Sequence, residues 1–358
     1  NLLTTDETAA LLEHPLVRED PGRSVIRNVV KKTSNLKRRV GMDTLEMALL
    51  LNLWSKEIIC MNPREEKYIN CGCNPAEYGS ITAVTVTSDN EIYLLSHEIQ
   101  NYCQFSIFKY NHAGNVWEPT CMSSEPTFME SAMEHYLNCY EDHIFEVDQI
   151  FYYLHVERRS DSKLVQMKKY NLDADQWQEC SQLQLDVILC YSSAAVSSGS
   201  HIYFLTESEV HRYDPSQDRW CKRTPPVFID VCTAVAMETE IFCTDFDFTH
   251  TMVYDTKSDC WQKLQGWPKP GNVYVDRDYA PGLFVLENQL HILCKVDEYD
   301  PIEPESSAHY LVYVYDRSAD AWRDLKATLP DNADGPRGAM CPVARMYLPY
   351  LSAQSADT

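Results

Sequence analysis

The sequence predicts an all-β fold, a six-bladed β-propeller closed by a C-terminal strand and preceded by a short helical segment. Three observations carry this. First, Tyr, then Asp or Asn, then Trp seven residues after the Tyr occurs five times, at Tyr110…Trp117, Tyr170…Trp177, Tyr213…Trp220, Tyr254…Trp261 and Tyr315…Trp322. With 22 Tyr and 7 Trp in 358 residues, chance predicts well under one copy. A weaker sixth copy, Met61-Asn62-Pro63…Tyr68, makes the starts 49, 60, 43, 41 and 61 residues apart, the periods of propeller blades or helical arrays. Second, each copy follows short runs rich in Val, Ile, Phe and Tyr. Third, helical periodicity is absent through the array, which decides for blades.

Each repeat reads as strand, turn, strand, loop, strand ending in Tyr-Asp/Asn, turn, and a last strand beginning near Trp. In the second repeat these are Ala83 to Thr87, Glu91 to Leu95 and Phe105 to Tyr110, with Ser88-Asp89-Asn90 as a hairpin turn. The pattern recurs at Ser193 to Val196, Ile202 to Leu205 and Val210 to Tyr213, and at Thr233 to Ala236, Ile241 to Cys243 and Met252 to Tyr254. Asp or Asn after the Tyr accepts amides two residues on and stabilises the turn. Tyr and Trp fill the wedge between blades. One copy per blade at fixed register is what a structural repeat requires, so these pairs read as packing rather than a ligand platform.

The first repeat has room only for Met47 to Leu51, Glu57 to Met61 and Lys67 to Asn70, one strand short. Gly338 to Leu348 supplies an extra strand without a Trp, expected to return to the first blade and close the ring. The expected domains are thus 1–40, 41–350 for the propeller, and a tail at 351–358.

Residues 1–40 differ in character. Asp20 as N-cap, Pro21 at the first helical position and the stripe Val25, Ile26, Val29 and Val30 predict a helix, with another around Thr8 to Glu13. Arg27 to Arg39 holds six basic residues and no acidic one, a solvated linker beside a helix, with a nuclear import signal as the alternative. No stretch has the length and apolarity of a membrane span, and no signal-peptide pattern opens the chain. The initial Asn suggests a fragment of something longer. Most of the 14 cysteines lie in strand-like segments such as Ile59-Cys60 and Phe242-Cys243, predicting reduced structural thiols in a cytosolic compartment, and none has zinc-site spacing.

The Tyr-Asp/Asn…Trp units resemble Kelch repeats over about residues 45 to 348, and His14-Pro15-Leu16-Val17-Arg18-Glu19-Asp20-Pro21 with its following helix resembles the last helices of a BACK domain. Arg39-Val40-Gly41-Met42-Asp43-Thr44-Leu45-Glu46-Met47 further resembles the Kelch-repeat-and-BTB-containing branch of the BTB-BACK-Kelch family. The chain departs from Kelch repeats in having no Gly-Gly; Leu95-Ser96-His97, Leu205-Thr206-Glu207 and Leu293-Cys294-Lys295 stand where it is expected. The resemblance implies the substrate-recognition module of a cullin-3 ubiquitin ligase, a cytoplasmic or nuclear protein whose upstream BTB domain dimerises and binds cullin-3.

Four antiparallel strands per blade send second-to-third and blade-to-blade connections to one face, where recognition concentrates. The longer loops there are about 96–104, 155–164, 206–210, 244–250 and 296–309 within blades, and 120–135 and 264–280 between them. The within-blade set carries Glu98, Glu157, Asp161, Glu207, Glu209, Asp245, Asp247, Asp297, Glu298, Asp300, Glu303 and Glu305, against only Arg158, Arg159 and Lys163. Residues 1–40 are net +3, so of the formal −22 the rest carries −25. That field steers basic or mixed-charge protein segments and repels nucleic acid. Acidic loops also keep a protein soluble; their gathering on one predicted face favours recognition. Tyr102, Phe128, Phe246, Phe248, Tyr274, Tyr279 and Tyr299 are candidate aromatic anchors. No nucleophile elbow, phosphate loop or paired-His metal motif is present, so no cofactor is expected. The other readings are a cytoskeleton-binding scaffold and, since some Kelch propellers are copper oxidases, an oxidase.

Overall fold

The computed structural model describes residues 44–52, 57–65, 67–70, 80–97, 105–112, 116–122, 141–158, 162–172, 174–185, 193–227, 230–245, 248–268, 273–275, 282–298, 307–327 and 341–347. They form strands and turns; among them there is no helix. The helices expected before residue 40 lie outside the described residues. Contacts divide the chain into Glu46–Ala344, which is the propeller, and a second unit of Asn1–Leu45 with Arg345–Thr358.

Strand order follows the sequence blade by blade. Blade one holds β1 (Thr44–Asn52), β2 (Glu57–Asn62) and β3 (Lys67–Asn70). Blade two is β4 (Ser80–Val86), β5 (Ile92–His97), β6 (Phe105–Asn111) and β7 (Val116–Pro119). Blade three is β8 (Glu141–Val147), β9 (Ile150–Arg158), β10 (Lys163–Asn171) and β11 (Gln176–Glu179), with β12 (Leu183–Leu185) added. Blade four is β13 (Ala194–Ser198), β14 (His201–Leu205), β15 (Val210–Asp214) and β16 (Arg219–Arg223). Blade five is β17 (Thr233–Met237), β18 (Glu240–Thr244), β19 (Thr251–Asp255) and β20 (Cys260–Leu264). Blade six adds β21 (Val273–Val275) to β22 (Gly282–Leu286), β23 (Gln289–Glu298), β24 (Ser307–Asp316) and β25 (Ala321–Asp324). The first strands lie side by side, β4 by β8, β8 by β13, β13 by β17 and β17 by β22.

The C-terminal strand β26 (Val343–Tyr347) occupies that first place in blade one, whose order is β26-β1-β2-β3. Within the propeller unit, Leu49 N donates to Pro342 O at 2.8 Å. The weak sixth motif agrees: Met61 pairs with Tyr68 across the β2–β3 ladder, the register at which Tyr pairs with Trp elsewhere.

In the other blades the motif is a cross-strand aromatic pair. Tyr110–Trp117, Tyr170–Trp177, Tyr213–Trp220, Tyr254–Trp261 and Tyr315–Trp322 face each other directly between third and fourth strands. Their ring centroids are 5.0–5.3 Å apart. In the last three copies the residue after the Tyr caps its turn as expected: Asp214 accepts Ser216 N at 3.0 Å, Asp255 accepts Lys257 N at 2.8 Å and Asp316 accepts Ser318 N at 2.9 Å.

A third motif residue emerges from the structure. Asp175, Asp218, Asp259 and Asp320, five after the Tyr, adopt φ of 46–57° at the turn exit, a conformation Asp tolerates better than most. Each accepts the hydroxyl of its Tyr, at 2.5–2.6 Å in the last three copies. Asp218, Asp259 and Asp320 also reach back one blade to the amides of Ser181, Thr224 and Gln265. The carbonyls of those same three residues accept the indole N–H of Trp220, Trp261 and Trp322, each at 2.8 Å. One residue of each preceding blade is therefore held on both its polar groups. At the blade two–three seam Trp177 Nε1 donates to Met122 O at 2.9 Å.

The apolar core sits at these seams. Phe145, Leu154 and Val156 meet Ala195 and Phe204; Tyr203 and Val210 meet Ile241 and Tyr254; Leu290 and Ile292 meet Phe242 and Trp267. Five free cysteines, Cys180, Cys232, Cys243, Cys294 and Cys341, are buried as small apolar groups. Cys60 corrects the expectation of reduced thiols: it is disulfide-bonded.

Two other expectations are corrected. The loops read at 155–164 and 296–309 are strand at both ends, because β9 runs to Arg158, β10 starts at Lys163, β23 runs to Glu298 and β24 starts at Ser307. These long hairpins recruit extra strands that the sequence pattern hid: β12 pairs with the start of β10 and β21 with the end of β23. Phe248 is a core residue rather than a surface anchor: it is fully buried against Trp267 with ring centroids 6.2 Å apart.

Candidate functional site

The loop face collects the second-to-third connections and the starts of the first strands. In blade three, Asp142 of β8 stands opposite His155 of β9, and its Oδ1 accepts the Tyr153 hydroxyl and contacts His155 Nδ1, both at 2.8 Å. On the other side of the sheet Lys163, 2 % exposed, donates from Nζ to Ser193 Oγ at 3.1 Å, and that hydroxyl donates to Glu141 Oε2 at 2.5 Å. The chain crosses from blade three to the residue entering β13. A lysine so deeply buried needs such partners.

Blade four contributes Glu209, in the β14–β15 turn capped by Thr206, whose Oγ1 accepts Glu209 N at 3.0 Å. Glu209 takes Lys222 Nζ on one oxygen and His211 Nε2 at 2.9 Å on the other. Burial pushes its carboxyl up, but hydrogen bonds from Lys222 and His211 outweigh this and hold it below the usual glutamate range. Blade five contributes Asp245. Its Oδ2 accepts Thr249 Oγ1 at 2.7 Å and faces His250 Nδ1 at 2.8 Å, while Oδ1 accepts His250 N at 3.2 Å. Gly266 lies under that loop, where an added Cβ would come within 2.4 Å of Thr249 O.

Of the residues singled out from sequence, Glu207 is exposed in the β14–β15 turn, Glu157 is half-buried in β9, and Arg158, Asp297 and Glu298 are strand residues rather than loop residues. Lys163, read as a loop cation, is buried in β10. Glu98, Tyr102, Arg159, Asp161, Asp247, Tyr299, Asp300, Glu303 and Glu305 lie outside the described residues, as do Phe128, Phe246 and Tyr279. Sequence reasoning missed Glu141, Asp142, His155 and Ser193. The available signal was polar residues at positions where strand alternation calls for apolar ones.

These contacts refine the charge picture. Glu209 and Asp245 have both carboxylate oxygens engaged by their own blade, so they shape the face more than they offer free acceptors. Among the described residues no three His, Cys, Asp or Glu side chains converge as metal ligands.

No family model matches the chain. It is 22 % identical over 334 residues to Kelch repeat and BTB domain-containing protein 8 of Xenopus tropicalis, covering 87 % of this chain and 52 % of that protein. It is 27 % identical over 111 residues to Kelch-like protein 35 of Mus musculus, covering 31 % of this chain and 18 % of that one. These two Kelch-named proteins are homologues of this chain. It spans about half the length of the frog relative and less of the mouse one. A chain of the crystal structure of a nidogen/laminin complex superposes with a TM-score of 0.51 at 11 % identity, over 84 % of this chain and 98 % of that one, a likeness of fold alone. The six-bladed propeller is the fold that these sequence similarities imply for the chain.

Proposed function

We propose that this propeller is the substrate-recognition module of a cullin-3 RING ubiquitin ligase adaptor, a non-catalytic role. The observation that carries it is the match along 87 % of the chain to a relative named for Kelch repeats together with a BTB domain. In that reading a BTB domain of the full-length protein dimerises and binds cullin-3, and the propeller captures the substrate in the cytoplasm or nucleus. The substrate segment is basic or of mixed charge. With Glu209 and Asp245 engaged internally, the β23–β24 hairpin, with Asp297, Glu298, Asp300, Glu303 and Glu305, is the part of the acidic face that meets it.

Affinity capture of the full-length protein tests the adaptor role: cullin-3 recovered with it supports the reading, and its absence points to a scaffold. Proximity labelling with the intact protein and a propeller-deleted version identifies the substrate. Charge reversal of the five hairpin acids is expected to abolish its capture; unchanged affinity at low salt removes the charge argument.

A further inference from the structure

The apolar core of the seam between blades five and six runs out into a cleft on the face of the short turns, opposite the loops. The cleft holds about 370 Å³, a size that suits a small organic molecule. Phe242, Leu290 and Tyr315, all buried, and Met237, half-buried, give it apolar walls. Two turns of blade six bring its polar groups, Asn288 from between β22 and β23, and Arg317 and Ser318 from between β24 and β25.

The charges around this cleft are unevenly matched. Arg317 is occupied: its two Nη groups donate to Oε2 and Oε1 of Glu240, across the seam in blade five, at 2.8 and 2.5 Å. Asp316 spends Oδ1 on its own turn, accepting Ser318 Oγ at 2.6 Å and the amides of Ser318 and Ala319 at 2.9 and 3.2 Å. The Ser318 hydroxyl first, the turn amides next and the Arg323 charge least hold that carboxyl below the usual aspartate range. Arg323, exposed on β25, lines the same cleft, and among the described residues its side chain makes no ion pair and no hydrogen bond. An open guanidinium therefore stands beside an apolar wall.

We infer that this cleft binds a small apolar molecule carrying a single carboxylate, its body on Phe242, Leu290 and Tyr315 and its carboxylate on the Arg323 guanidinium. One carboxylate matches the planar fork of one guanidinium. A doubly charged anion would face Asp316 with no second open cation to balance it. The volume fits one ring and a short chain between two turns rather than the surface of a folded partner. The cleft lies on the face away from the end of the β23–β24 hairpin proposed to meet the substrate, so it stands or falls apart from the adaptor reading.

The probe is hydrocinnamate, with its neutral amide as control, titrated into the whole chain carrying isotope-labelled methionine methyls. Met237 reports from the cleft wall, its resonance assigned by its loss in Met237→Leu. Hydrocinnamate is expected to shift that resonance saturably with a Kd of about 1 mM or tighter, as suits so small a probe. The amide should bind at least tenfold more weakly. Arg323→Gln, a change at an exposed position, should weaken the acid at least tenfold and leave the amide as it was. Unmoved methionine resonances elsewhere show that the variant keeps its fold. No saturable shift of Met237 overturns the proposal. So does equal binding of acid and amide, unchanged binding of the acid in Arg323→Gln, or displacement of the acid by inorganic phosphate at equal concentration.

Discussion

Asp320 accepts the amide of Gln265 at 3.0 Å, so the turn of blade six holds the residue that ends blade five. The Gln265 amide first, and then the Tyr315 hydroxyl, hold the Asp320 carboxyl below the usual aspartate range. Asp320→Ala removes both contacts at an exposed position and is expected to lower stability by about 1 kcal/mol. Asp320→Asn, which keeps an acceptor, should cost less. Urea unfolding of the two variants, with a Tyr315→Phe cycle to isolate the pair, checks this.

Acidification should destabilise the propeller through its buried histidines. His291 is fully buried, stacked on Phe284 with ring centroids 5.2 Å apart, and its Nε2 has no partner. Burial pushes its pKa down to about 4. The unfolded chain, with an ordinary histidine pKa of about 6.5, binds the proton more readily, so stability falls as pH drops below about 6.5 and the loss is complete near 4. Burial lowers His143 in the same direction. Asp214, Asp255 and Asp316, held low by their turn contacts, add their losses only below the ordinary carboxylate range. His291→Phe should flatten the upper part of the profile, measured as melting temperature against pH.

Gly266→Ala is expected to cost on the order of 1–3 kcal/mol, because its Cβ would press on the Thr249 carbonyl. The Asp245–His250 contacts should loosen with it. Thermal unfolding measures the first effect, and amide exchange over residues 245–250 the second.

Native alkylation should divide the thiols by burial. Cys121 and Cys260 are expected to react with iodoacetamide, while Cys232, Cys243, Cys294 and Cys341 stay unlabelled until the protein unfolds. Burial raises all four of the latter, Cys294 and Cys341 to about 12, which keeps them as inert thiols. Peptide mapping before and after denaturation reads this directly.

The architecture was legible because its repeating part is local. Tyr213 and Trp220 pair across one turn, so their spacing of seven shows in the sequence. Even the degenerate Met61…Tyr68 copy kept the register. The role of Asp218 was missed although Asp five after the Tyr recurs in four copies, because its partner Ser181 lies 37 residues away and is recognised through its backbone. Backbone partners leave no residue signature. The extra strands β12 and β21 escaped for a similar reason: at three residues each, they are strands only by virtue of the long hairpins they join. At the face, charge was readable from composition, but which carboxylates are already satisfied depends on cross-blade distances such as Ser193 to Glu141.

Because the first strand of the opening blade is made from Val343–Tyr347, a ribosome must translate through all six blades before that sheet can be completed. Until then β1 offers an unpaired hydrogen-bonding edge, the feature by which half-made β proteins join to one another. A nascent chain stalled before Val343 should therefore be the form most prone to aggregate and to need a chaperone, and emergence of Val343–Tyr347 is the step that ends that exposure.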